Sequence, residues 1–168
     1  MADKTQQSAF YKTFLIFWVD GQLFAADVKA VLEVLRNENV SPIPRNYDFI
    51  QGIINFRGEV VTVVNTGQKL LMPERKEVEK EVIIVFDFIK DKQEVKLGAQ
   101  ADRVMKVMEV KTTDIHPVPD FGENYNPEFL DGTLKTDDGF ALILRIEKIF
   151  SDKEVAVLQD NTEKQTHE

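Results

Sequence analysis

The chain has 168 residues, enough for one domain with a self-sufficient hydrophobic core, and it contains no cysteine, which excludes disulfides, thiolate zinc sites and cysteine nucleophiles. Its formal net charge of −8 argues against nucleic acid and anionic membranes as partners, because phosphate contacts need a basic surface. The N-terminus shows no signal peptide, and no apolar run approaches the roughly 20 residues of a membrane helix, so we expect a cytoplasmic protein without direct membrane binding.

The predicted elements, taken along the chain, are mainly short strands paired into hairpins. Apolar runs flank a tight turn four times, and a turn such as Asp20-Gly21 favours the positive φ angles of a two-residue hairpin loop. Four hairpins in one chain predict an all-β fold. The predicted turns are Asp20-Gly21, Arg57-Gly58, Lys90-Asp91-Lys92 and Asp137-Asp138-Gly139.

Helix is predicted most clearly at the C-terminal end. Ser151 followed by Glu154 is a capping-box pattern, and the apolar residues after it predict a helix over 151–159. The polar segments 1–11 and 160–168 are expected to be flexible tails.

The chain repeats itself on either side of a charged segment, residues 72–80, which we interpret as a linker. Four motifs recur in the same order at a nearly constant offset, a pattern that chance rarely produces. They divide a single domain over 12–158 into duplicated halves over about 12–71 and 81–150, each expected to curl into a five-stranded barrel. The recurring motifs are VKAVLEV (28–34) with VMKVMEV (104–110), SPIP (41–44) with HPVP (116–119), FIQG (49–52) with FLDG (129–132), and VVTVVN (60–65) with FALILR (140–145).

Some strands are apolar on both faces, so one face must be covered from outside the barrel. In EVVTVV, Val61 and Val63 point to one face, and Val60, Thr62 and Val64 point to the other. One set fills a barrel, and the other must meet the second barrel or another protein. We therefore expect the apolar seam between the barrels to be a docking site and not a core.

No residue pattern indicates catalysis, a metal or a cofactor. His116 stands alone and His167 is in the tail, whereas a metal site needs several clustered ligands. The pair Asp137-Asp138 is explained by its hairpin turn, and phosphate-binding and nucleophile motifs are missing. We therefore predict a protein that is not an enzyme and binds no cofactor.

Arg57 is the candidate binding residue that the pattern itself suggests. Most turn residues are simply solvated, but Arg57 lies between two strands that need covering, and the polar Asn55 interrupts an apolar run beside it. The equivalent tip of the second half, KTDDG, lacks an arginine. Arginine with apolar surroundings is a common anchor at protein interfaces.

The stretch YDFIQGIINFRGEVVTVVN (47–65) resembles the signature of CheW-like domains, in which a Gly-Val/Ile pair precedes an N-[LF]-R-G hairpin and a Val-rich strand. FAADVKAVLEV and VSPIP precede it in the order typical of that family, and the resemblance covers about residues 12–158. It implies two SH3-like five-stranded β-barrels without enzymatic activity. It also implies a bacterial scaffold adaptor that couples the cytoplasmic tips of methyl-accepting chemoreceptors to a CheA-type histidine kinase in chemotaxis signal transduction.

The resemblance further implies two binding sites. Receptor tips would bind in the groove between the barrels, and the kinase's own CheW-like regulatory domain would bind barrel against barrel. The adaptor would be monomeric alone and would join rings when recruited to receptor arrays. The receptor-binding residues would be Val28, Val31, Glu33, Gly52, Asn55, Arg57, Val82, Leu97, Gly98 and Val104. The kinase-binding residues would be Leu35, Val40, Ile43, Asp120 and Phe121.

Three positions depart from the family pattern. Thr62 replaces a proline and Asn65 an aspartate in V-x-P-V-x-D-L, and Arg145 replaces an aspartate of the second half. Asn65 can still cap a helical turn, with Gln68 three residues later. Two alternatives stay open: an adaptor of a non-flagellar chemosensory pathway, and a small-molecule-binding double barrel, since a groove between barrels can hold a ligand.

Overall fold

The computed structural model describes residues 10–44, 47–119 and 126–166. Within these ranges the chain forms ten strands, three α-helices and three short 3₁₀ turns. The strands are β1 (Tyr11–Val19), β2 (Gln22–Asp27), β3 (Val31–Arg36), β4 (Ile50–Phe56), β5 (Glu59–Asn65), β6 (Val82–Lys90), β7 (Gln93–Ala101), β8 (Arg103–Lys111), β9 (Leu130–Thr136) and β10 (Gly139–Leu144). The helices are α1 (Thr66–Lys69), α2 (Ile146–Ile149) and α3 (Asp152–Thr166), and the 3₁₀ turns are Val28–Ala30, Thr112–Asp114 and Pro127–Phe129.

The four predicted hairpins are confirmed. β1 pairs with β2, β4 with β5, β6 with β7 and β9 with β10, each in antiparallel register. Both loop residues have positive φ in three of them, Asp20-Gly21, Arg57-Gly58 and Asp91-Lys92. That geometry matches the right-handed twist of the flanking strands, which is why such short loops suffice.

The strands form two curled five-stranded sheets, which confirms the all-β prediction of two SH3-like barrels. The first sheet has the order β8-β1-β2-β10-β9 and the second the order β3-β6-β7-β5-β4. Replacing each strand by its counterpart five places along the chain converts one order into the other. The internal duplication predicted from the motifs is therefore present in the topology.

The sheets do not coincide with the halves 12–71 and 81–150, which corrects the expectation that each half forms its own barrel. Each sheet combines one hairpin from one half with three strands from the other. The halves exchange these hairpins through parallel pairs, β2 with β10 and β5 with β7. A parallel pair cannot be closed by a tight turn, so its strands come from distant parts of the chain.

Three clusters of buried apolar side chains form the core. One fills the first sheet and one fills the second, where Val61 and Val63 are buried. The third and largest lies between the sheets and includes Val64, so the predicted division of the two strand faces is confirmed. Its large members from the two sheets include Phe17, Phe24, Ile84, Phe86 and Leu97.

Helix α3 covers the outer face of β5. The predicted capping box is confirmed: the Ser151 backbone N–H donates to Glu154 Oε1 at 2.8 Å, and the Glu154 N–H donates to Ser151 Oγ at 3.2 Å. The fully buried Thr62 donates its hydroxyl to the Leu158 carbonyl at 3.4 Å. The helix continues to Thr166, so residues 160–166, predicted to be a flexible tail, are helical.

The predicted linker contacts the buried carboxylate of Asp20, beside a second buried carboxylate, that of Asp102. The Arg75 backbone N–H donates to Asp20 Oδ1 at 3.3 Å, and Lys80 Nζ lies 3.9 Å from the same oxygen. Beside it, Asp102 accepts a hydrogen bond from the Gly21 N–H at 3.2 Å. Burial raises the pKa of the Asp102 carboxyl above its ordinary value.

Candidate functional site

Arg57 lies at the tip of the β4–β5 hairpin in a left-handed conformation, with φ 52° at Arg57 and 84° at Gly58. The Gly58 N–H donates to Asn55 Oδ1 at 3.0 Å, which stabilises the turn. This contact explains the polar residue in an apolar run. A non-glycine residue at positive φ is uncommon, and Asn55 helps to hold Arg57 there.

The structure brings Arg57 and the predicted site residue Glu33 together. Arg57 Nη2 lies 3.3 Å from Glu33 Oε2, and the two side chains are 66% and 42% exposed. The guanidinium also lies 4.8 Å from the centre of the Phe56 ring. β3 and β4 are opposite ends of the second sheet, so this contact across its ends shows how far that sheet curls on itself.

Three predicted valines border the seam without being fully enclosed by it. Val28, Val31 and Val104 are half-buried and pack against the core between the sheets. They belong to the Val28–Ala30 turn, to β3 and to β8. Each therefore keeps apolar surface in contact with solvent next to a large buried cluster.

The interior of the seam is core, which corrects the expectation of a docking site there. Val82 is 3% exposed and Leu97 0%, and both belong to the cluster between the sheets. Gly98 is buried beside Ile83, and Gly52 is buried against the Ser41 carbonyl. These positions support the surrounding strands and offer no surface to a partner.

The predicted kinase-binding residues fall into three groups. Leu35 and Val40 are half-buried and pack against the core of the second sheet. Ile43 is half-buried against the core between the sheets. Asp120 and Phe121 lie outside the described residues.

Two exposed apolar residues on the same strands escaped the sequence reasoning. Leu32 on β3 is 39% exposed and Val107 on β8 is 60% exposed. The repeat held a signal for the second, because it aligns Val107 with the candidate residue Val31. Because side chains alternate between the two faces of a strand, this alignment also predicts which neighbours of Val107 on β8 share its face.

The three departures from the family pattern have local partners. Asn65 caps α1 by accepting the Gln68 N–H at 3.1 Å, as predicted. Arg145 Nε donates to Asp131 Oδ1 at 2.6 Å. With Thr62 bonded to α3, all three substitutions are accommodated within the fold.

In the described ranges no group of three or more His, Asp or Glu side chains is arranged to hold a metal ion. No helix in the same ranges is long and apolar enough to cross a membrane. The site is therefore described by its surface: an arginine–glutamate pair and three half-buried valines.

Comparison with known proteins matches most of the chain to one family. A model of the CheW-like domain matches residues 13–154. Chemotaxis protein CheW of Klebsiella aerogenes is 30% identical over 151 residues, which are 90% of this chain and 88% of that protein. Chemotaxis protein CheW of Thermotoga maritima is 29% identical over 141 residues, covering 82% and 87%. The crystal structure of the scaffolding protein TtCheW from Thermoanaerobacter tengcongensis superposes with a TM-score of 0.70 at 27% identity, covering 83% of this chain and 92% of that one.

Proposed function

The chain belongs to the family of CheW-like domains, and from that premise we propose that it couples the cytoplasmic tips of chemoreceptors to a CheA-type histidine kinase. As a member of the family it is a non-catalytic scaffold adaptor of chemotaxis. The proposal concerns the partners that it joins and the surfaces that it uses for them.

The receptor face consists of Val28, Val31, Glu33, Arg57 and Val104. The observation that carries the proposal is the accessible ion pair of Arg57 and Glu33, because Glu33 lies on the same edge strand as the half-buried Val31. An amphipathic helix could cover the valines with its apolar side. Arg57 would then donate charge-assisted hydrogen bonds to a carboxylate or a carbonyl at the border of the contact.

The ion pair on this face is easily rearranged. Exposed pairs contribute about 0.2–1 kcal/mol to stability, so Arg57 can exchange Glu33 for a partner group at little cost to the fold. Truncation of an interface anchor, in contrast, costs about 2 kcal/mol or more of binding. Arg57 should therefore matter far more for binding than for folding.

The test compares Arg57→Ala with Arg145→Ala, which removes another arginine paired with a carboxylate, here half-buried and away from the receptor face. We expect Arg57→Ala to weaken capture by immobilised receptor tips while its melting temperature stays near that of the native chain. Arg145→Ala should bind like the native chain. If Arg57→Ala unfolds at a much lower temperature, Arg57 is structural; if both variants bind normally, the receptor face is wrong.

The kinase surface is proposed separately, at Leu35, Val40, Ile43, Asp120 and Phe121. Its support is the family membership and the half-exposed apolar surface of Leu35, Val40 and Ile43. Phe121→Ala should reduce binding of the kinase regulatory domain and leave receptor capture unchanged. Loss of both interactions would show that the two surfaces are not separate.

In this proposal the adaptor is a cytoplasmic monomer that joins rings in receptor arrays. The same surfaces would serve an adaptor of a non-flagellar chemosensory pathway, because the receptor tip and the kinase domain present the same chemistry there. Co-purification from the native cell, followed by identification of the bound receptor, separates the two outputs.

A further inference from the structure

A cleft opens on a part of the seam away from the receptor face. Its volume is about 380 Å³, and an adjoining depression of about 340 Å³ shares Gln22 and Leu142 with it. Residues 70–73, which follow α1, line one side, and Phe129 and Leu130 line another. The cleft thus lies between segments of both sequence halves, and none of its described lining residues belongs to the receptor face.

Leu71 at the border of the cleft has an unfavourable backbone and an unfavourable environment. It has φ 59° and is 76% exposed. It follows the last turn of α1, where the Met72 N–H donates to the Gly67 carbonyl at 2.8 Å. Glycine or asparagine normally occupies such a left-handed position. Leucine is uncommon at such a position, and its exposed side chain borders the cleft, where a ligand could cover it.

Phe140 is a second exposed apolar side chain, located at the adjoining depression. It lines the depression and is 58% exposed. The repeat aligns it with Val60, a smaller residue that is half-buried. The second half therefore presents a large aromatic surface to solvent where the first half does not.

The lining selects an uncharged occupant. None of the described lining residues of the cleft or the depression is charged, although 30% of the chain is. Among these described lining residues an ion would find no charged partner to compensate for its lost hydration. The available polar side chains are neutral, such as the amides of Gln22 and Asn126.

The described strands at the cleft already have backbone partners where they line it. β2 and β10, which contribute Phe24 and Leu142, are inner strands that pair with each other. β9 is an end strand, but its lining residue Thr133 exchanges two backbone hydrogen bonds with His116. An extended peptide binds by adding a strand to an exposed edge, and that mode is closed here. The volume instead falls in the range of about 300–1,000 Å³ typical of small-molecule sites.

We propose that this cleft binds a neutral, mainly apolar small molecule that carries one or two hydrogen-bonding groups. The site gives the small-molecule alternative of the sequence analysis a location, and it does so without replacing the adaptor function. None of the described residues of the receptor face or of the kinase surface lines the cleft or the depression, so the indole experiment decides this site whatever the adaptor experiments show.

The test titrates the full chain with indole, a neutral ring with one N–H donor, and with indole-3-carboxylate as its charged counterpart. Amide chemical shifts in ¹H–¹⁵N NMR spectra report the site. We expect saturable shifts at Leu71, Phe140 and Leu142 with indole, and binding weaker by about tenfold or more with the carboxylate. Equal binding of the two probes, or no saturable shift at these residues, would overturn the proposal.

A pair of variants locates the binding. Leu71→Asp adds a charge at the border of the cleft at a backbone position that aspartate tolerates, and it should weaken indole binding by about tenfold or more. Ile89→Asp makes the same kind of change at an isoleucine that is 65% exposed and lines neither hollow, and it should bind indole normally. Unchanged indole binding by Leu71→Asp would contradict a ligand site. So would a dimer of the native chain in sedimentation experiments that Leu71→Asp abolishes, because a second copy would then cover the cleft.

Discussion

Replacing Lys69 with methionine is expected to lower the free energy of unfolding by about 2–3 kcal/mol. Lys69 Nζ lies 3.2 Å from Glu154 Oε2, and the two side chains are only 14% and 12% exposed. Three aromatic rings, those of Phe49, Phe129 and Phe150, have their centres within 5.3–5.8 Å of the ammonium. Lys69 therefore joins α1 to α3 and to segments of both sequence halves.

The size of this loss depends on the carboxylate of Glu154, which stays largely buried when its partner Lys69 is removed. Removing one partner of a fully buried ion pair costs roughly 3–5 kcal/mol, because the other charge remains buried without compensation. Water still reaches part of Glu154, and the Ser151 N–H still donates to its second oxygen at 2.8 Å. These two effects reduce the expected loss to about 2–3 kcal/mol, or roughly 4–12 °C in melting temperature for a domain of this size.

Chemical denaturation measures the loss, with Lys96→Met as the matched control. Lys96 Nζ lies closer to its partner, 2.8 Å from Glu59 Oε2, but the side chains are 26% and 59% exposed. Since exposed pairs contribute at most about 1 kcal/mol, this variant should lose less despite the shorter distance. Equal losses in the two variants would refute the reasoning from burial, and Lys69→Arg should retain most of the stability.

Four further variants test single contacts by urea denaturation. Gly52→Ala should lose about 2 kcal/mol or more of stability, because its new Cβ would lie 2.1 Å from the Ser41 carbonyl oxygen. Gly58→Ala, whose Cβ would have no neighbour within 4 Å, should lose only about 1 kcal/mol from backbone strain. The pKa of the Asp102 carboxyl is raised in the folded state, so its protonated form favours folding. This contribution to stability is complete below the carboxyl's pKa in the unfolded chain and is lost as pH rises through its pKa in the folded chain. Because asparagine does not titrate, the free energy of unfolding of Asp102→Asn should fall less than that of the native chain between acidic and neutral pH. Identical pH profiles of the two free energies would contradict this. Ser151→Ala should lose about 1 kcal/mol together with helical circular dichroism, and an unchanged signal would argue against the capping box.

The hairpins could be predicted from the sequence because their signals are local. Turn pairs such as Asp20-Gly21 fix both the loop and the register of the two strands beside it. The exchange of hairpins between the halves could not be predicted in this way. A repeat shows that two units are alike, but exchanged and unexchanged arrangements bury the same strand faces, so the apolar pattern favours neither.

The site was predictable where exposure follows from a turn and unpredictable where it depends on packing. Arg57 was found at a hairpin tip, whereas Glu33 entered the site only through the resemblance, and the contact between the two residues, 24 positions apart, was not predicted. Val82 and Leu97 were wrongly expected on the surface, because a strand that is apolar on both faces does not reveal which face another sheet covers. The cleft beside Leu71 had no sequence signal, since its backbone conformation follows from the end of α1.

The proposed receptor face and the cleft both border the core between the sheets. Val31 and Val104 pack against the cluster between the sheets on one border, and Leu70 and Phe129 pack against it on the other. Close-packed interiors respond to a change of volume as a unit, and segments of both halves meet in this cluster. A ligand that moves Phe129 would thus act on the same packed layer that supports Val31. If binding of the proposed ligand changes the affinity for receptor tips, we expect the cause to be repacking of this layer. No hinge motion between the sheets is needed for that effect.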